Sequence, residues 1–334
     1  MIEALVTSEQ AIGAAWFCDA DLPYAESILN HADRLVLCRA RYSPRLAELV
    51  IRAGARGIPV IYDIDDLVFD DRYVHFVLNT LDQGTSEGDL DFWFADIGRH
   101  GALLRLCDRA IGTNAYLAER IAEFSGLAVA TVPNFLNQAQ IEVSAAILAA
   151  KRAADFVRDG RIHLGYFSGT PTHRRDFAVI VDSLLQLLRA DARIVLRIVG
   201  FLELPPAFSE FQQRIEYYPL QDFLNLQRLI GEVEINLVPL QDNVFTNCKS
   251  ELKVFEAAVV GTISVGTPTY TIERALSVGS SGFLATAQNW YPVLTQAIAR
   301  LDDYPQMAEA AAAEALACYA PAAQGAAVLQ ALYD

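Results

Sequence analysis

The sequence predicts an α/β protein built from two βα units in tandem, each on a parallel sheet, the first shorter than the second. Three observations predict it. Short apolar, β-branched runs alternate with stretches whose apolar residues recur at helical spacing. The alternation lapses around 133–160 and then restarts. The 334-residue length suits two domains, and a composition 53% hydrophobic and 20% charged is that of a globular chain.

In the first unit the expected strands are 34–39, 59–64, 108–113 and 127–133. Between them, 44–56 places Leu46, Leu49, Val50 and Ala53 on one helical face and stops at Gly57 and Pro59, a C-terminal signature. Residues 89–107 and 114–124 read as further helices, the second with Asn114 as N-cap and Gly126 just past its end. Pro and Asn turn chemistry in VPNFLN then leads into an Ala-rich helix closed by Gly160. The expected division is therefore 1–137, a linker helix 138–160, and 161–334. In the last part the expected strands are 162–168, 193–200, 214–219, 233–239, 262–266 and 282–285. The helices between them are expected at 176–189, 220–230, 250–260 and 290–301, with an Ala-rich packing helix from Tyr304.

The charge excludes some partners. Against 41 acidic residues stand 26 basic ones, a net −15, so a broad electrostatic footprint for nucleic acid or an anionic membrane is missing. Only Lys151, Lys249 and Lys253 are lysines; codon bias accounts for their scarcity but not for two of them lying four residues apart. The five cysteines are widely spaced with no paired motif, MIEALVTSEQ lacks the pattern of a signal peptide, and no apolar run nears the ~18 residues of a span. A reducing cytoplasm is the expectation.

Ligands of open α/β sheets bind beyond the carboxyl ends of the strands, which directs attention to three loops. The first, SGTPTHRRDF, sets Gly169 and Thr170 beside His173 and Arg174, amides and cations suited to a phosphate; a plain turn capping the next helix is the alternative. The second, PLQDNVFTNCKSELKVFE, reads as a helix N-capped by Ser250 with Lys249 and Lys253 at its start. The macrodipole disfavours cations there by roughly 0.3–1 kcal/mol each, a conflict that a bound diphosphate removes; two solvated surface lysines are the alternative. The third, VIYDIDDLVFDD, gathers Asp63, Asp65 and Asp66, with Asp63 and Asp65 expected on one strand face. Carboxylates so crowded call for a counter-charge, a metal or a base role, or else cap the following loop.

Taken together, GYFSGTPTHRRDF, LRIVGFLELP and INLVPLQDNVFTNCKSELKVFEAAVVGTISVGTPTY resemble the donor-binding half of bacterial glycosyltransferases of the two-Rossmann-domain (GT-B) architecture, near glycosyltransferase family 4. VIYDIDDLVFD, TNAYLAERI and VPN resemble the acceptor half of cell-surface polysaccharide glycosyltransferases. The resemblance implies two Rossmann-like domains facing a cleft and hexosyl or deoxyhexosyl transfer from a nucleoside diphosphate sugar to a hydroxyl of a glycan, lipid-linked or protein acceptor. It implies no metal or other cofactor, and association with another glycosyltransferase or an assembly protein. Gly169, Thr170, His173 and Arg174 would meet the phosphates from one side, and Lys249, Ser250 and Lys253 from the other. Glu256 would bond the ribose, Phe201 would meet the base, and Asp65 and Asp66 would serve the acceptor as catalytic carboxylates. Family 4 enzymes carry Glu, seven residues, Glu; here Cys248 stands at the first position. The usual first strand and Gly-rich loop also have no clear counterpart in the opening 30 residues. A non-catalytic sugar-nucleotide-binding scaffold is the alternative from another class, and a sugar-nucleotide epimerase a third.

Overall fold

All ten expected strands form, within two residues of their expected limits, in a computed structural model that describes residues 1–7, 12–157, 159–276 and 279–334. The first four, β1 (Leu35–Cys38), β2 (Val60–Ile64), β3 (Arg109–Gly112) and β4 (Ala128–Thr131), make a parallel sheet in the order β1-β2-β3-β4. The other six are β5 (Ile162–Ser168), β6 (Ile194–Gly200), β7 (Ile215–Tyr218), β8 (Ile235–Val238), β9 (Ile263–Gly266) and β10 (Gly282–Leu284). They make a parallel sheet in the order β10-β9-β8-β5-β6-β7. From β5 the chain builds outward to β7, then crosses back to β8 and builds the other way. The order therefore reverses between β5 and β8, and that switch point is where a crevice opens above a doubly wound sheet.

The central strands are buried on both faces, as parallel sheets require. Leu164, Leu196, Ile198, Ile235, Leu237, Ile263 and Val265 are inaccessible, each buried side chain contributing about 1.5–3 kcal/mol. Helix starts are chemically specified. Ser43 Oγ accepts from the Leu46 N–H, Asn114 Oδ1 from Leu117, and Asn137 forms a capping box with Gln140. Gly126 ends the helix Ala115–Ser125 in the left-handed conformation, φ 74°.

Three helical regions differ from expectation. The stretch expected as one helix over 176–189 is two, Arg174–Ala178 and Val181–Ala190. The stretch 250–260 yields only the seven-residue helix Leu252–Ala258, entered through Glu251, whose side chain does not cap it. Ser250 is therefore not its N-cap, and Lys253 is its second residue. The tail, assigned with 161–334, divides. The helix Tyr304–Tyr319 packs on Leu252–Ala258, with Phe255 and Tyr319 stacked 4.3 Å apart. Past Ala320 and Pro321 the helix Pro321–Tyr333 returns to the first sheet, burying Val328, Ala331 and Leu332 against Ala4, Leu5, Ile61 and Ile111. The helix Gln138–Ala153 packs on Phe223–Gly231, where Gln227 Nε2 donates to Ser144 Oγ at 2.9 Å with both residues inaccessible.

The two sheets are locked together by a short segment of the second. The helix Val244–Asn247 inserts Phe245, and Cys248 after it, into the core of the first domain. Asn243 Nδ2 donates to Thr80 Oγ1 at 3.0 Å, and Asn114 Nδ2 to the Cys248 carbonyl at 2.9 Å. The carboxyl ends of β2 and β8 thereby come to face each other.

Candidate active site

Two of the three loops singled out by sequence, those after β5 and β8, flank the switch point of the second sheet. The loop after β5 is shaped by an exchange with β6. Gly200 adopts φ +93°, and a Cβ there would lie 1.8 Å from the Ser168 carbonyl oxygen, so only glycine fits. That oxygen also accepts the Phe201 N–H at 3.4 Å, and Phe201 is 47% exposed. Ser168 Oγ donates to the Thr170 carbonyl, and Gly169 is exposed with open space at its Cα.

Beneath this loop lies a carboxylate that sequence reasoning treated only as the start of a helix. Asp176 is 1% exposed and joins both sides of the switch point. Its oxygens accept from the Gln241 N–H and Nε2, at 3.1 and 3.2 Å, and lie 3.1 Å from His173 Nδ1. His173 is further anchored through its carbonyl, which accepts the Tyr166 hydroxyl. Burial, together with the positive charges of Lys253 and Lys249, lowers the His173 pKa against the opposing pull of Asp176.

Lys253 reaches the same place from β8's side, its ammonium 5.3 Å from the centre of the Tyr166 ring. Burial pulls its pKa down to about 8, against the attraction of Asp176 and Glu256. Glu256, one turn further on, accepts from Gln140 Nε2 at 3.2 Å, and burial raises its pKa to about 7. A buried lysine and a buried glutamate, each held against ionisation in this way, mark this place as a candidate functional site. Because the helix that carries them is so short, the cationic character comes from the side chains and not from a run of helix amides.

Lys249 and Ser250 face the other domain. Ser250 Oγ accepts from Asn134 Nδ2 at 3.0 Å. Lys249 lies over the Phe245 ring at 4.5 Å, with its ammonium 3.4 Å from Asp66 Oδ1. Arg174 is 69% exposed and stands 3.7 Å from Asp82 of the first domain; Arg175 binds the same carboxylate at 2.8 Å and also meets Asn79. Arg174 thus lies at the cleft margin while Lys249, Lys253, His173 and Glu256 gather inside.

The third loop changes its reading. β2 ends at Ile64, so Asp65 lies just past the strand, and the two aspartates, close enough for the charge of Asp65 to act on Asp63, take different partners. Asp63 bonds the Cys38 thiol, and burial raises its pKa to about 6. Asp65 pairs with Arg39 at 2.6 Å, and Asp66 lies between Arg39, at 3.7 Å, and Lys249. Arg39 was not anticipated; its signal is conformational, a non-glycine residue at φ +44° directly after β1. The counter-charges that crowded carboxylates demand are thus an arginine and a lysine, and no group of three or more potential metal-ligating side chains occurs among the described residues.

Cys248, at the place of the missing family glutamate, is inaccessible, and burial raises its thiol pKa to about 12. It is a packing residue of the first domain's core and takes over no carboxylate role.

No protein-family model matches the sequence, and no curated protein is significantly similar to it. Solved structures are. Anabaena Alr3699/HepE in complex with UDP superposes with a TM-score of 0.61 at 13% identity, over 92% of this chain and 81% of that one. A glycosyltransferase from Rickettsia africae ESF-5 gives 0.60 at 10% identity, over 96% and 82%. Sucrose-phosphate synthase from Thermosynechococcus elongatus gives 0.58 at 13%, over 96% and 80%. At these identities the likeness is one of fold, and with its two facing Rossmann-like sheets the chain has the GT-B fold of these glycosyltransferases.

Proposed function

We propose that the protein transfers a sugar from a nucleoside diphosphate sugar to a hydroxyl of a surface glycan, glycolipid or glycoprotein, as a cytoplasmic, metal-independent enzyme. The observation that carries this reading is the convergence of Lys249 and Lys253 on the β5–β8 switch point, beside His173 and the Gly169–Thr170 turn, in a chain of net charge −15. UDP bound to HepE, a protein of the same fold, supports it.

In the reaction the acceptor oxygen forms a bond to the anomeric carbon as the bond from that carbon to the diphosphate breaks, and the diphosphate leaves with the electron pair. The demand is to stabilise that leaving charge, and preorganised cations in a water-poor cleft are the largest such contribution. Lys253 and Lys249 supply them, with His173 beside them as an imidazole that burial keeps neutral, Gly169 and Thr170 offering backbone amides and Arg174 closing from the margin. Glu256 bonds the ribose, and Phe201 flanks the base. Where the transfer inverts the anomeric centre, Asp65 or Asp66 takes the acceptor proton.

A thermal-shift panel of UDP-, GDP- and dTDP-sugars tests the reading without knowledge of the acceptor, since a ligand stabilises by RT ln(1 + [L]/Kd). A clear shift with one nucleotide is expected. A flat panel would sink the proposal. Burial of Cys248 at the position of the family's first glutamate favours a second reading, a sugar-nucleotide-binding partner without turnover. Donor binding with no slow release of nucleoside diphosphate, with or without added glycan acceptors, would select it.

A further inference from the structure

We propose that Lys249 is shared between the donor diphosphate and Asp66, so that donor binding uncovers the acceptor-side carboxylate. This rests on the function proposed above and goes beyond it by linking its two half-sites.

Asp66 has a different cation on each oxygen. Oδ1 faces Lys249 Nζ at 3.4 Å and Oδ2 faces Arg39 Nη2 at 3.7 Å. The first contact crosses the cleft, from the loop after β8 to the loop after β2, and both side chains are about four-fifths shielded, 19% and 18% exposed. The second contact stays within the first domain.

The two cations differ in freedom. Arg39 is held at both ends: its guanidinium donates to Asp65 Oδ1 at 2.6 Å and its backbone N–H to the Asp63 carbonyl at 2.7 Å, and the next carbonyl, that of Ala40, accepts the Tyr62 hydroxyl at 2.5 Å. Tyr62 is itself held by buried His100, at 3.0 Å. Lys249 has a fixed backbone, since its N–H donates to Thr246 and its carbonyl accepts Thr271 Oγ1, but its ammonium rides on a flexible four-carbon stem. A diphosphate in the switch-point crevice offers that ammonium more negative charge than one carboxylate does. The lysine turns to it, Oδ1 is left without its partner, and Oδ2 remains oriented by Arg39. Asp66 can then receive the acceptor proton on Oδ1 as the new C–O bond forms and the diphosphate departs. Arg39 is in this scheme a positioning residue.

The linkage is reciprocal: if donor binding breaks the pair, the pair opposes donor binding, and removing the carboxylate tightens it. Calorimetry with UDP, or with GDP or dTDP where the panel favours it, reads this directly. Asp66→Asn is expected to bind the nucleotide about fivefold or more tightly than wild type, the lower end of typical coupling between sites. In a Lys249→Gln background the same substitution is expected to change affinity by less than about twofold. Equal or weaker binding by Asp66→Asn overturns the proposal, as does a gain that persists undiminished with Lys249→Gln, which would mark a general charge effect. Thermal melts check folding, and Asp66→Ser serves if Asp66→Asn is unstable. Wild type that binds no nucleotide refutes the proposed function itself; wild type that binds without this coupling refutes only the sharing of Lys249.

Discussion

Asp176 and Lys253, from the loops on either side of the β5–β8 switch point, attract one another across a site where the carboxylate is 1% exposed. Asp176 already satisfies His173 and two donors of Gln241, so its attraction for Lys253 is diffuse and leaves the ammonium available. The site holds its cations ready without fully neutralising them.

Loss of both lysine ammonium groups is therefore expected to abolish donor binding. Charge-assisted hydrogen bonds contribute roughly 1.5–3 kcal/mol each, so Lys249→Ala with Lys253→Ala should weaken nucleoside diphosphate affinity by about a hundredfold or more. Calorimetry on the double variant checks this, and affinity within a few-fold of wild type would refute the phosphate assignment.

Affinity should also fall with rising pH. Lys253 is held down to about pKa 8 in the free protein, and a bound anion favours its protonated form. Below that value the charge is already present and affinity is level; above it a proton must be taken up, and affinity drops by about tenfold per pH unit. Titrations from pH 7 to 9.5 should show the break near 8, and Lys253→Arg should flatten it. A level wild-type profile would show that Lys253 does not bind the anion.

The strands, the cleft-facing loops and the lysine pair were legible in the sequence because each depends on local pattern: apolar runs, turn chemistry, residue scarcity. What was not legible depends on tertiary contact. Lys249 and Asp66 are 183 positions apart and meet only because Phe245 and Cys248 bury themselves in the other domain. Ser250 reads as an N-cap from its neighbours, yet its hydroxyl is engaged by Asn134 of the facing domain. The return of Pro321–Tyr333 to the first sheet has no local signal, since an Ala-rich amphipathic helix fits either sheet equally well.

Glu256 should destabilise the unliganded protein at neutral and alkaline pH. Burial raises its folded pKa from 4.5 to about 7, so the folded state binds more protons than the unfolded one between those values, and stability falls as pH rises through that window. Glu256→Gln keeps the contact with Gln140 and removes the buried charge. It is expected to gain on the order of 3 kcal/mol over wild type at pH 8 and little at pH 4.5, since one pKa unit corresponds to about 1.4 kcal/mol. Urea unfolding at the two pH values measures the difference, which must be pH-dependent if the carboxylate is its source. Donor affinity should fall in the same variant, because an amide oxygen is a weaker acceptor for ribose hydroxyls than a carboxylate.

Gly200 tests whether the loop after β5 is set by its neighbour strand. At φ +93° a side chain is strained whatever the space, and here a Cβ would also sit 1.8 Å from the Ser168 carbonyl oxygen. Gly200→Ala must therefore move either β6 or Ser168, the residue that leads into Gly169 and Thr170. A residue forced into such backbone costs about 1–3 kcal/mol, and the displaced carbonyl adds the lost bond from Phe201. Urea denaturation should show a loss of about 2 kcal/mol or more, and nucleotide affinity of the folded fraction should fall at least severalfold, since displacement of the turn misaims its amides. Gly169→Ala, where a Cβ meets nothing within 4 Å, should leave stability within about 0.5 kcal/mol. If the two variants prove equally stable, the carbonyl contact with Gly200 is not what shapes this loop.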